Sequence, residues 1–272
     1  MYKRILVPLD GSPFSEEIIP YAAGLAAVHG TELVLLRVAD KASDEEDARD
    51  YIDSIASTHG AHGLSLVDTG DAAQAILREA GRQPSTLLAM TSRGRSGLME
   101  LVLGSVAQRV VRGVGGPVLV YHPTGARTQG RAPVKLRSVV LPLDGGSLPE
   151  AMASDAAEFA RWIDADLEVV SAVQSVSAAE VGEAAGSEMP ALESGYVHSM
   201  ATDLAKRHGV RIDWEVLHGD PVMAITDHVV RRGDVILAMV TRRKDALEAA
   251  LLGSVTAGCL RKAGVPILMR LP

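Results

Sequence analysis

Ile5-Leu6-Val7-Pro8-Leu9-Asp10-Gly11 returns as Val139-Val140-Leu141-Pro142-Leu143-Asp144-Gly145, an offset of 134 residues. Both runs are short, apolar and closed by an Asp-Gly pair, which reads as a buried strand entering a turn. Working outward, Gly70-Asp71 lines up with Gly219-Asp220, and Leu88-Ala89-Met90 with Leu237-Ala238-Met239. Leu103-Gly104-Ser105-Val106 lines up with Leu252-Gly253-Ser254-Val255. These three pairs share an offset of 149, so the second copy carries 15 extra residues. The polar, small-residue stretch that begins at Gln174 places the insertion within 174–195 and reads as a loop. The chain is a tandem duplication. The expected parts are a first domain over 1–121, a linker over 122–136 marked by Pro123, Gly125, Gly130 and Pro133, and a second domain over 137–272.

Within the first copy, apolar runs at Ile5–Leu9, Leu33–Val38, Leu64–Val67, Leu87–Met90 and Val118–Tyr121 predict five strands. Continuous apolar runs suit strands covered on both faces, as in a parallel sheet. Between them lie helix signals: Ser15 to His29 with a stripe of Ile18, Ala22, Leu25 and Ala26, then Tyr51-Ile52 with Ile55, Ala75 to Ala80, and Val106 to Arg112. Pro20 is expected to disturb the first of these helices. In the second copy Met152, Ala156, Phe159 and Ile163 share a helical face. The expected fold is α/β: two tandem Rossmann-like domains, each a five-stranded parallel sheet with helices on both faces. Ligands of such sheets bind beyond the carboxyl ends of the strands.

Composition excludes several classes. The 272 residues are 47% hydrophobic and 22% charged, which supports a sizeable core. A formal charge of −7 gives no global attraction to nucleic acid or anionic lipid, and 2 Phe, 2 Trp and 5 Tyr offer no base-stacking platform. The single cysteine, Cys259, cannot form an intramolecular disulfide and reads as a small buried apolar residue. No apolar run reaches the roughly 18 residues of a membrane span. The start Met1-Tyr2-Lys3-Arg4 leads directly into a strand, which predicts a cytoplasmic protein without a signal peptide.

The loop after the fourth strand, Thr91-Ser92-Arg93-Gly94-Arg95-Ser96-Gly97, precedes Leu103-Gly104-Ser105-Val106. Glycines let backbone approach a ligand, and Ser105 is a good N-cap for the helix that follows. A helix N-terminus presents free N–H groups to phosphate, and Arg93 and Arg95 can add charge-assisted contacts. A plain surface loop is the alternative. Asp10 can meet a ribose hydroxyl or simply hold its turn. Walker A, Gly-x-Gly-x-x-Gly and Gly-x-Ser-x-Gly patterns are absent from these loops. His59 and His62 flank Gly60 without carboxylate or thiol partners and read as a solvated helix end, so no metal and no catalytic residue is assigned.

The order Val-Pro-Leu-Asp-Gly-Ser, Gly-Asp, Met-Thr-Ser-Arg-Gly-Arg-Ser-Gly, Leu-Gly-Ser-Val, Pro-Val-Leu-Val resembles the universal stress proteins, twice over, in their tandem, nucleotide-binding form. The resemblance implies an ATP-binding regulatory module, with Mg2+ accompanying the triphosphate. It places phosphates on Gly94, Arg95, Gly104, Ser105 and Val106, the ribose or adenine at Asp10 with Pro8 and Leu9 beside it, and adenine against Val38 and Met90. The family's first motif glycine falls on Thr91. In the second copy Val240 and Arg243 replace the first two glycines, Ala172 takes the Val38 place, and Asp144, Gly253 and Ser254 remain as a weak second site. The resemblance also implies pairing of the last strands, Val118–Tyr121 and Ile267–Met269, and a homo-oligomer, such as a dimer, with a regulatory protein partner. A nucleotide α-hydrolase is the competing class, but Pro13 and Phe14 sit where its phosphate loop would be.

Overall fold

The computed structural model describes residues 1–93, 103–125, 132–143, 150–173, 185–240 and 252–271. By packing, residues 1–136 and 266–271 form one unit and residues 137–265 another. The sequence boundaries differ from this at the C-terminus: the last strand, expected in the second domain, is counted with the first.

The first unit opens with strand β1 (Arg4–Leu9), a short helix α1 (Pro13–Glu16) and helix α2 (Ile19–His29). Pro20 explains the break between the two helices. It sits in the first turn of α2, where its missing N–H costs nothing, and a new helix starts there. Strand β2 (Glu32–Ala39), helix α3 (Glu45–His59), strand β3 (His62–Val67), helix α4 (Ala72–Arg82), strand β4 (Thr86–Thr91), helix α5 (Ser105–Gly113) and strand β5 (Val118–Tyr121) follow. The sheet order is β3-β2-β1-β4-β5, all parallel. Order reverses at β1, so the crevice between β1 and β4 is the switch point.

Against β5 lies β10 (Ile267–Arg270), antiparallel, with Ile267 opposite Val120, Leu268 opposite Leu119 and Met269 opposite Val118. This is the pairing of final strands that the resemblance implied. It leaves no open edge at β5.

Helix α2 is apolar nearly all round because the linker covers its outer side. The Val134 amide donates to the Pro20 carbonyl at 2.9 Å. A Cβ on Gly24 would lie 1.9 Å from the Val134 carbonyl oxygen, so only glycine admits the linker this close.

At the bottom of β1, Arg4 and Glu79 are both buried. Arg4 Nη1 donates to Glu79 Oε1 at 2.9 Å, Nη2 to the Glu79 carbonyl at 2.6 Å, and Nε to Thr86 Oγ1 at 3.1 Å. The pair fastens α4 to the start of β1.

The second unit repeats the order: β6 (Ser138–Leu143), α6 (Glu150–Trp162), β7 (Asp166–Val173), α7 (Ala185–His208), β8 (Ile212–His218), α8 (Pro221–Val230), β9 (Val235–Val240) and α9 (Ser254–Lys262). Its strands run in parallel in the order β9-β6-β7-β8. Met152, Ala156, Phe159 and Ile163 are all buried, as their spacing predicted. The insertion is a correction. Helix α7 already begins at residue 185, inside the stretch that read as a loop, because Ala, Glu, Met and Leu carry helix propensity that outweighs the local Gly and Pro. Residues 174–184 lie outside the described part. Cys259 is buried, and burial pushes its thiol up to about 11.

The duplicated Gly-Asp pairs turn out to be helix caps. Asp71 accepts the amides of Ala73 and Gln74 at the start of α4, and Asp220 accepts that of Met223 at the start of α8.

Candidate functional site

A cleft of about 310 Å³ opens at the switch point of the first unit. Its floor is the carboxyl end of β1, with Pro8, Leu9 and Asp10. Val38 from β2 and Met90 from β4 form apolar walls, and Gly104, Ser105 and Val106 close the far side. Eight of the residues named from the sequence therefore line one cavity. Gly94 and Arg95 lie outside the described residues.

Asp10 holds a turn. Its Oδ1 accepts the Ser12 amide at 2.9 Å and the Ser12 hydroxyl at 2.6 Å. The Ser15 hydroxyl in turn accepts the Asp10 amide at 3.3 Å. This is the Asx-turn alternative, and Asp10 still lines the cleft.

Helix α5 begins one residue earlier in register than the sequence suggested. Gly104 is the N-cap and Ser105 the first helical residue, and no side chain caps the helix. Gly104 has φ −67° and ψ 162°, extended backbone open to any residue. A Cβ there would meet the Ser92 carbonyl oxygen at 3.5 Å and Arg93 Cα at 3.8 Å, ordinary contact. The fold does not demand glycine at this position. Its effect is to leave the α5 N-terminus bare toward the cleft.

Thr91 is buried where the family pattern has glycine, and its hydroxyl donates to the Arg93 carbonyl at 2.9 Å. The added side chain is thus absorbed by its own loop. Arg93 lines the cleft, stacks over the Phe14 ring at 5.8 Å and donates from Nη2 to the Pro123 carbonyl at 2.9 Å. Its Nε is buried without an acceptor among the described residues. Ser92 Oγ lies 2.7 Å from His122 Nδ1. Ser15, Leu36, Arg37, Asp40, Ala72 and Ile76 also line the cleft without having been singled out. The repeated Gly-Asp pair was the one signal for Ala72, since it marks where α4 begins.

In the second unit, Gly253 caps α9 with φ −61° and ψ 158°, matching Gly104, and Ser254 starts the helix. Val240 ends β9, and its carbonyl accepts the Thr256 hydroxyl at 3.1 Å. Ala172 lies on β7. Asp144 and Arg243 lie outside the described residues.

Another cluster joins β7, β8 and α8. His228 Nε2 lies 2.9 Å from Glu168 Oε1 and its Nδ1 lies 3.8 Å from Glu215 Oε2, while Arg232 Nη1 is 2.6 Å from Glu168 Oε2. Each ring nitrogen faces a carboxylate, and Arg232 supplies further positive charge. The two carboxylates favour the imidazolium form of His228. The bond from Glu168 raises the His228 pKa against the opposing effect of burial. Burial opposes ionisation of Glu168, but the bonds from His228 and Arg232 prevail and lower its pKa. The His228 contribution to stability is complete below its ordinary pKa of about 6.5 and is lost as pH rises through the raised folded value. The Glu168 contribution is lost as pH falls through its lowered value. The thermal midpoint is expected to fall as pH rises from about 6 through the raised folded value. His228→Gln should flatten that slope, and a slope unchanged in the variant would refute the assignment.

Two Rossmann-like α/β repeats with a bare helix N-terminus at the switch point define the class of protein. Comparison with known proteins supplies the family. The universal stress protein family model matches residues 1–61, 60–122 and 135–269, and the chain belongs to that family. A universal stress protein of Methanocaldococcus jannaschii is 28% identical over 139 residues, covering 44% of this chain and 82% of that protein. The universal stress protein YxiE of Bacillus subtilis is 28% identical over 148 residues, covering 45% of this chain and all of its own length. Among solved structures, a universal stress protein from Archaeoglobus fulgidus covers 100% of this chain and 99% of its own, with a TM-score of 0.63 at 16% identity. A protein of unknown function from Pseudomonas aeruginosa covers 100% and 93%, with 0.64 at 17%. These two show the fold. No helix among the described residues is long and apolar enough to cross a membrane.

Proposed function

We propose that the first unit binds one adenine nucleotide, ATP, in the β1/β4 cleft, and that the chain works as a cytoplasmic, nucleotide-responsive stress-response module. The observation that carries this reading is Gly104. It is a glycine the backbone does not need, at the cap of a nine-residue helix whose N–H groups face a cavity. Phosphates there would take the amides of Ser105 and Val106 and the guanidinium of Arg93. Gly94 and Arg95 complete that set by sequence. Asp10 would receive a ribose hydroxyl, and Pro8, Leu9, Val38 and Met90 would enclose adenine. Mg2+ would accompany the triphosphate. Homo-oligomer formation and a regulatory protein partner belong to the same reading.

Binding is favoured over catalysis by Asp10. One of its oxygens already accepts two bonds from Ser12, which suits a fixed turn better than a general base. The second unit is proposed as degenerate, with Val240 and Arg243 in the places of glycines and Asp144, Gly253 and Ser254 retained.

The test is to denature the purified protein and count the released nucleotide by chromatography. About one adenine nucleotide per chain is expected, and Asp144→Ala should leave that number unchanged. Two per chain would overturn the degenerate second unit. None, with no ATP binding in calorimetry, would overturn the nucleotide reading and leave a stress protein that acts through protein partners alone.

A further inference from the structure

Four consecutive residues leaving β5 are each tied to the cleft or to the helix beside it. His122 Nδ1 meets Ser92 Oγ at 2.7 Å. The Pro123 carbonyl accepts Arg93 Nη2 at 2.9 Å. The amides of Thr124 and Gly125 both donate to the Glu17 carboxylate at 2.8 Å, and the Thr124 hydroxyl adds a bond at 3.2 Å. Glu17 is 2% exposed and caps α1, the helix that carries Phe14 and Ser15. Ser92 and Arg93 line the cleft, and so does Ser15. Gly125 has φ +84°, a left-handed conformation that favours glycine, and a Cβ there would lie 3.5 Å from the Phe14 ring.

The Glu17 and His122 ties belong to the first copy alone in sequence, whereas Arg93 and Pro123 are matched by Arg242 and Pro272 at the offset of 149. The offset of 134 places Ala151 at the Glu17 position, and the offset of 149 places Leu271 at the His122 position. Neither can make the corresponding bond. The Glu17 hold on Thr124 and Gly125 and the Ser92–His122 contact therefore accompany the linker.

We propose that the start of the linker is a readout of the first unit's cleft: an anionic ligand bound there clamps residues 122–125. The proposal rests on the nucleotide reading above, in which the ligand is a nucleoside polyphosphate. Arg93 is the pivot. Its guanidinium already holds the Pro123 carbonyl and packs on Phe14, while its buried Nε has no acceptor among the described residues. An anionic oxygen bonded to the Arg93 guanidinium from the cleft fixes the guanidinium plane and so fixes Pro123. Phe14 and Glu17 flank the same turn, so Thr124 and Gly125 are held with it. The ligand then selects the clamped state by its greater affinity for it.

Hydrogen exchange of the full chain, read by mass spectrometry with and without saturating ATP, tests this. Calorimetry on the same solutions reports binding. The amides of Thr124 and Gly125 are expected to exchange at least about tenfold more slowly with ATP, the change that makes a tighter clamp visible. Glu17→Gln, which lies outside the cleft lining, should still bind ATP, with affinity lowered by no more than about the tenfold that couples clamp and ligand, and lose most of that protection. Binding with unchanged or faster exchange at 124–125 would overturn the readout and leave the nucleotide reading standing. Absence of binding would overturn both.

Discussion

Gly104→Glu is expected to abolish ATP binding with the fold retained. Position 104 has extended backbone that glutamate adopts without strain, and a Cβ there meets its neighbours at ordinary contact distance. The remaining side chain must then enter the cleft. Its carboxylate lies at the positive end of α5 and competes for the N–H groups that a phosphate would use. That same placement is favourable for the helix, so thermal stability should hold or rise slightly. The expected loss in affinity is at least about a hundredfold, close to 2.7 kcal/mol. Gly104→Ala should lose less, since a methyl group narrows the site without adding charge. Calorimetry with ATP, paired with circular dichroism melting, reads both quantities. Undiminished binding in the glutamate variant would place the nucleotide elsewhere.

The largest stability effect is expected from Glu79→Ala. Removing this carboxylate leaves the buried Arg4 guanidinium with only the Glu79 carbonyl and Thr86 hydroxyl as partners. Breaking a buried ion pair on one side costs about 3–5 kcal/mol, because the remaining charge stays desolvated. The surviving bonds place the expected loss near the lower end, about 3 kcal/mol. Arg82, which shares Glu79 but is largely exposed, adds little to this. Replacing both members, Arg4→Met with Glu79→Leu, should restore much of the loss. Urea denaturation of the parent and the two variants checks the pattern. A double variant no better than Glu79→Ala would show that the site needs the ion pair itself.

Much of the fold was legible because parallel strands leave an unambiguous trace. Runs such as Ile5–Leu9 and Leu33–Val38 are apolar on both faces, and the repeat doubles the signal. What was missed depends on partners remote in sequence. The start of α7 reads as a loop because its local Gly and Pro carry no trace of strands β7 and β8, on which the helix packs. The cap of α5 was assigned to Ser105, the better capping residue by type, although the bare Gly104 occupies it. In the site, Pro8, Leu9, Asp10, Val38 and Met90 could be named from strand ends and family pattern. Arg93 was visible only as a charge. Its place over Phe14 and against Pro123 depends on a linker 30 residues downstream. Glu17 gave no sign of its role, since its partners are backbone amides, which a sequence does not distinguish.

The antiparallel seam between β5 and β10 also sets a schedule. The first unit's sheet is not finished when its own repeat has left the ribosome, because one of its strands is encoded beyond residues 137–265. At about 5–20 residues per second, translation of residues 137–265 takes on the order of ten seconds. Throughout that interval Val118–Tyr121 presents an unpaired edge, the kind of template on which nascent chains join one another. The order of the repeats thus leaves the growing chain with an open β5 edge until Ile267–Arg270 emerge and seal it.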